Sequence, residues 1–137
     1  IPPNATLVFE IELLEVTKPV TLGQATTEDL LKAQADGVVV IDIRREKEWQ
    51  DTGIIEGAVT ITAFTASGRV HPEFLDKFQE LVPSPETPVM LYCRTGNRTT
   101  SLGNALIDQL GFSHVNHLST GIEGWIADGR ETVAHQD

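Results

Sequence analysis

An α/β domain built on a mostly parallel central sheet is the fold class this chain predicts, and three observations predict it. Short apolar runs alternate along the sequence with amphipathic stretches of helical period. Two of those runs, residues 38–43 and 89–92, are apolar at nearly every position, as strands covered on both faces are. At 137 residues and 40% apolar content, the chain can bury one core without disulfides or metal.

The elements follow in order. Leu7, Phe9, Ile11 and Leu13 repeat with period two and predict a strand within residues 1–16. Residues 17–24, with Lys18-Pro19 and Gly23, read as a linker. A helix then starts at a cap on Thr26 or Thr27 and runs through Asp29, Leu30, Leu31 and Ala33. The buried strand at 38–43 is stopped by Arg44-Arg45, and a weaker strand is expected at 58–61. A polar loop through Ser67-Gly68-Arg69 leads to a helix at 72–81, ended by Pro83 and Pro85. After the strand at 89–92 come Cys93 and the Gly96-Asn97 turn. A helix at 98–110 follows, with Leu102, Ala105, Leu106 and Ile107 inward and Gly111 as its stop. A last strand at 115–118 and a turn of helix at 121–125 close the pattern, Trp125 being read as core and the polar residues 130–137 as a frayed tail. In such sheets ligands bind beyond the carboxyl ends of the strands, which is where Cys93 falls.

Composition excludes several functions. With 20 acidic and 10 basic residues the formal charge is −10, which disfavours nonspecific binding to nucleic acid or to an anionic membrane. There is one cysteine, so neither an internal disulfide nor a Cys-cluster zinc site can form. His114 and His117 lie three apart around a strand, on opposite faces, so no metal pair is expected. No cofactor or metal is called for. No apolar run reaches the roughly 18 to 20 residues that span a bilayer, and the chain reads as soluble.

Cys93 is the candidate nucleophile. A cysteine between a buried strand and a helix N-terminus faces converging N–H groups, and that field, with Arg94 and Arg98 close by, favours the thiolate. The two arginines also supply local positive charge that the chain otherwise lacks. The alternative, an inert buried cysteine, fits the glycine and arginines that follow it less well.

The run Leu91-Tyr92-Cys93-Arg94-Thr95-Gly96-Asn97-Arg98-Thr99 resembles the active loop of rhodanese-domain sulfurtransferases. Val40-Ile41-Asp42-Ile43-Arg44 with the stretch 46–49 resembles that family's first signature. Gly53-Ile54-Ile55-Glu56-Gly57-Ala58 resembles the second, and 115–118 with 121–125 the closing glycine-tryptophan element. Ile54 and Glu56 stand where the family usually has histidine and proline, and we read that element as a structural turn. The resemblance implies a three-layer fold, a five-stranded, mostly parallel sheet flanked by helices, over residues 21–137. It also implies a thiosulfate sulfurtransferase in which Cys93 carries sulfur as a persulfide. Thr95, Gly96 and Asn97 would add backbone donors around the sulfur, and Arg94 would orient a small anionic donor. Arg98 would either touch the donor or pair with Asp42, and Arg44 with Glu48 reads as a scaffold pair or a solvated face; Asp42, Arg44 and Thr99 are the supporting residues. Without a second cysteine, the acceptor is external: cyanide, a thiol or a protein.

Loop length weighs against a cysteine-dependent phosphatase or arsenate reductase. Those place an arginine six positions after the nucleophile, where this chain has Thr99, Arg98 coming one residue early. A second possibility is a non-catalytic binding or regulatory module. Finally, residues 1–16 resemble the last strand of FKBP-type prolyl isomerases. The expectation is a bacterial FKBP-rhodanese fusion of the cytoplasm or periplasm, with 1–20 as the remnant strand and linker of the upstream domain.

Overall fold

Five strands and five helices alternate along residues 21–134, the part of the chain that the computed structural model describes. The strands are β1 (Gly23–Ala25), β2 (Val39–Asp42), β3 (Val59–Thr60), β4 (Val89–Tyr92) and β5 (Val115–Leu118). The helices are α1 (Thr27–Ala35), α2 (Glu46–Thr52), α3 (Phe74–Leu81), α4 (Asn97–Leu110) and α5 (Gly121–Ala127). Sheet order is β1-β5-β4-β2-β3 and every neighbouring pair is parallel.

Strand parity divides the core into two layers, because alternate side chains leave opposite faces of the sheet. Ile41, Ile43, Val89, Leu91, Cys93 and Val115 share one cluster with Phe74 and Phe78 of α3 and Leu102 and Leu106 of α4. Val40, Met90, Tyr92 and Leu118 share the other with Leu30 of α1 and Ile122 and Trp125 of α5. The result is the helix-flanked five-stranded sheet that the sequence predicts. Trp125 is core, as expected, and its indole N–H donates to the Glu131 carbonyl at 2.9 Å.

Caps set the helix ends. Thr26 is the N-cap of α1: its hydroxyl accepts from Asp29 N–H at 3.2 Å while the Asp29 carboxylate accepts from Thr26 N–H at 3.0 Å. Gly111 ends α4 with φ +78°, a left-handed conformation that costs glycine little.

Three features depart from expectation. β1 lies in the stretch read as linker; three residues are too short to show a period, and the strand is held by pairing with β5 across Gly23↔Asn116, Gln24↔His117 and Ala25↔Leu118. α2 has a single buried apolar residue, Trp49, so it shows no helical stripe, and the Glu48 carboxylate starts it by accepting from Arg45 N–H at 3.2 Å. The tail does not fray up to residue 134, because Ile54 and Val133 exchange two backbone hydrogen bonds of 2.8 Å. This pairing makes the second signature a structural turn. The strand expected within residues 1–16, the remainder of segment 1–20 and residues 135–137 lie outside the described residues. Among the described residues no helix is long and apolar enough to cross a membrane.

Candidate active site

The loop between β4 and α4 carries Cys93 on the α3/α4 face of the sheet, with its side chain 1% exposed. Parity explains the aim: Val89 and Leu91 point to that face, and Cys93 continues the alternation. The chain then turns through Gly96, whose φ of +99° makes it the N-cap of α4. Here the Gly96 N–H donates to Cys93 Sγ at 3.2 Å. Of the three backbone donors expected, this is the one found on the sulfur. The loop is anchored from below by α5, as Ile122 N–H donates to the Cys93 carbonyl at 2.9 Å and Glu123 N–H to that of Arg94 at 3.1 Å.

A Cβ at position 96 would strike the Ser119 carbonyl oxygen, in a backbone conformation that L side chains rarely adopt. Gly96→Ala is therefore expected to cost about 1–3 kcal/mol in stability. It also displaces the N–H from the sulfur, so reactivity of Cys93 toward a small alkylating agent should drop about tenfold or more, read as alkylation rate beside a thermal melt.

The arginines pair differently from the sequence expectation. Arg98 does not meet Asp42; its two terminal nitrogens donate to the two Glu48 carboxylate oxygens at 2.8 and 2.7 Å. Arg44 does not meet Glu48. It is 1% exposed and turns back on Asp42, 0% exposed, through Nε (3.0 Å to Oδ1) and Nη2 (2.8 Å to Oδ2). Its remaining donors reach Thr52 Oγ1 and the Gly53 carbonyl, both at 2.8 Å. The exchange has a physical reason. Asp42 ends β2 inside the sheet, where only an arginine that comes back over the strand end can neutralise it, while Glu48 projects from α2 toward the start of α4. Tyr92 completes the buried group: its hydroxyl accepts from Ile55 N–H at 2.9 Å, and the Arg44 guanidinium lies 5.9 Å from its ring centroid. Burial first, then the Asp42 charge, pushes the Tyr92 phenol above its ordinary value. Asp42 and Arg44 tie the end of β2 to Thr52 and Gly53.

Burial pushes the Glu48 carboxyl upward, but the hydrogen bonds from Arg98 and from Arg45 N–H, with the charges of Arg98 and Arg44, outweigh it and hold it below its usual value. A carboxyl depressed on folding stabilises the native state above its unfolded value, near ~4.3, and loses that contribution as pH falls through the folded value. Glu48→Gln should therefore flatten the acid limb of a stability-against-pH curve and remove about 1 kcal/mol or less near neutrality, measured by melts from acid to neutral pH.

Arg94 points out of the loop and meets Glu123 at 2.6 Å, side chains 65% and 51% exposed. Beside the loop lies a depression of about 710 Å3 lined by Arg45, Glu48, Phe64, Arg94, Asn97 and Arg98, among others. It brings three of the chain's ten basic residues to the mouth of an otherwise acidic domain.

One residue escaped sequence reasoning. His117 is 1% exposed on β5 and its Nδ1 lies 2.6 Å from Thr99 Oγ1, which in turn lies 3.6 Å from Cys93 Sγ. Parity from Val115 already points His117 to the α4 face; that β5 adjoins β4, setting Leu91 beside His117, is not a local property of either strand. Among the described residues no group of three or more His, Cys, Asp or Glu could hold a metal.

Comparison with known proteins gives the family and the fold. Residues 26–128 match the rhodanese-like domain family. The chain belongs to that family. Among curated relatives, the tRNA uridine(34) hydroxylase of Chlamydia trachomatis serovar L2 is 34% identical over 91 residues, covering 66% of this chain and 27% of that protein. The protein of the same name from Protochlamydia amoebophila is 28% identical over 127 residues, 88% of this chain and 38% of its own length. This rhodanese-like domain thus spans about a quarter to two fifths of those relatives. Among solved structures, Pseudomonas aeruginosa thiosulfate sulfurtransferase superposes with TM-score 0.66 at 22% identity, over 84% of this chain and 21% of that one. The polysulfide-sulfur transferase of Wolinella succinogenes gives 0.63 at 18%, over 84% and 80%. These two share the fold.

Proposed function

We propose that this rhodanese-like domain moves a sulfane sulfur from a small anionic donor such as thiosulfate to a thiophilic acceptor, through a persulfide on Cys93. The observation that carries the reading is a cysteine at the carboxyl end of a central strand, its sulfur held by the Gly96 N–H in a loop whose Arg94, Asn97 and Arg98 line a depression. The Cys93 thiolate attacks the outer sulfur of thiosulfate, the S–S bond of the donor breaks, and sulfite leaves with the bonding pair. An external nucleophile then attacks the outer sulfur of the persulfide, and Cys93 departs as thiolate. Cyanide would leave as thiocyanate. No oxidant or reductant is consumed in either half.

Arg94 and Arg98 support this reading in different ways. Arg94, exposed and held by a surface carboxylate, can swing to an arriving anion; Arg98, locked by Glu48, contributes fixed positive potential. Intact mass of the domain before and after thiosulfate, and again after cyanide, tests the reading. Gain of one sulfur that cyanide removes supports it, and no gain shifts the domain to a docking role.

The relatives favour a second reading, in which the domain serves an RNA-modifying protein and the acceptor or substrate is tRNA. The charge of −10 places any RNA-binding surface of such a protein elsewhere than on the bulk of this domain. Incubating the sulfur-loaded domain with tRNA and analysing its nucleosides separates the two readings.

A further inference from the structure

A chain of hydrogen bonds runs from the nucleophile through buried Thr99 and His117 to exposed Gln24, and the sulfur-transfer chemistry does not use it. Cys93 Sγ lies 3.6 Å from Thr99 Oγ1, a length that sulfur's size allows; Thr99 Oγ1 lies 2.6 Å from His117 Nδ1, and His117 Nε2 lies 2.9 Å from Gln24 Oε1. Thr99 and His117 are 0% and 1% exposed. The far end determines the tautomer. The Gln24 amide nitrogen donates to the Leu22 carbonyl at 3.3 Å, so its oxygen faces His117 and must accept from Nε2–H. Neutral His117 then presents a lone pair at Nδ1 to the Thr99 hydroxyl. The shortest contact of Thr99 is to that nitrogen rather than to the Gly96 carbonyl at 3.2 Å, which leaves Thr99 oxygen lone pairs for the Cys93 S–H.

We infer that Thr99 and His117 form a proton relay that takes the Cys93 proton into the core when the thiolate forms, with His117 as a positioning residue acting through Thr99. The Cys93 S–H proton moves to Thr99 Oγ1 as the Thr99 hydroxyl proton moves to His117 Nδ1. The thiol and neutral imidazole become thiolate and imidazolium, with no net change in charge. Every hydrogen bond persists in the second state, with reversed donors: Nδ1–H donates to Thr99, Thr99 donates to the thiolate, and Nε2–H still donates to Gln24. Burial holds the His117 imidazole below its ordinary value, so it is neutral when the thiolate is absent and available as the acceptor. The residues packed on His117 from β1 and α4, Gln24 and Thr99, are uncharged, and so is its register neighbour Leu91 on β4. The charged groups that bear on Cys93 are Arg98, whose guanidinium senses the sulfur, the neighbouring Arg94, and the paired Asp42 and Arg44 at the adjacent strand end. The relay supplies the path that the Cys93 proton takes.

The inference rests on Cys93 being the sulfur-accepting nucleophile, but its test needs no sulfur donor. The rate of Cys93 alkylation by iodoacetamide is measured against pH for the whole chain and for Thr99→Val, Thr99→Ser and His117→Gln, each checked for folding by a thermal melt. Near neutral pH, Thr99→Val and His117→Gln should react about tenfold or more slowly, recovering at alkaline pH. Thr99→Ser should restore the profile that valine loses, and the Thr99→Val/His117→Gln pair should be no slower than either alone. Superimposable profiles in folded Thr99→Val and His117→Gln overturn the relay. Should the buried substitutions unfold the domain, nitrogen NMR of His117 in the unsubstituted chain and in Cys93→Ser decides. Loss of the thiol must move the Nδ1 titration to lower pH, and an unchanged titration overturns the relay. If the alkylation profiles shift but thiosulfate loads no sulfur, the relay stands and the sulfurtransferase reading fails.

Discussion

Cys93→Ser is expected to abolish sulfur loading and to reduce cyanide-dependent turnover to the uncatalysed rate, while leaving the fold in place. Serine is only slightly smaller and keeps a hydrogen-bond acceptor for the Gly96 N–H, so the melting midpoint should move by no more than a few degrees. What it lacks is the chemistry. An alkoxide is inaccessible at neutral pH where a thiolate is not, and oxygen does not form the analogue of a persulfide with thiosulfate. The measurement is intact mass before and after thiosulfate on both proteins, paired with thiocyanate release. A serine variant that still gains a cyanide-labile sulfur would place the acceptor elsewhere, and among the described residues no other thiol exists to take it.

Asp42→Ala should give the largest loss of stability. Arg44 is buried with its charge balanced by Asp42, and removal of the carboxylate leaves a guanidinium 1% exposed with only Thr52 and the Gly53 carbonyl as partners. Breaking such a pair from one side costs about 3–5 kcal/mol, which for a domain of this size lowers the melting midpoint by roughly 10–20 °C. Asp42→Asn keeps the hydrogen-bond geometry and should cost less. Replacing both partners, Asp42→Ala with Arg44→Met, should recover part of the loss because no buried charge is left unpaired. At a temperature where the variant remains folded, sulfur loading per folded molecule should match that of the parent chain. Loss of loading without loss of stability would instead put Asp42 and Arg44 at the reacting centre.

The two arginine pairs show how far local sequence carries. Asp42, Arg44, Glu48 and Arg98 stand out as charged residues at strand and helix ends, and the expectation that carboxylates meet arginines there is correct in kind. The partners are exchanged because the choice depends on depth. Asp42 lies within the sheet and takes the arginine two residues on, which returns over the strand end; Glu48, on a half-exposed helix, takes the arginine that α4 brings across from fifty residues away.

By itself the sequence determined the α/β class, four of the five strands, and Cys93 at the start of a glycine-turned helix. These are short-range signals: apolar period, turn residues, and a cysteine with its own following loop. Tertiary structure alone decided what joins that cysteine. His117 reaches Thr99, and Gln24 reaches His117, only because β1 and β5 pair in parallel beside β4, Gln24 and His117 being 93 residues apart in sequence and opposite one another in register. A lone histidine on an edge of the pattern carries no mark of such a neighbour, since parallel pairing is set by packing of the whole sheet between its two helical layers rather than by any local run of residues.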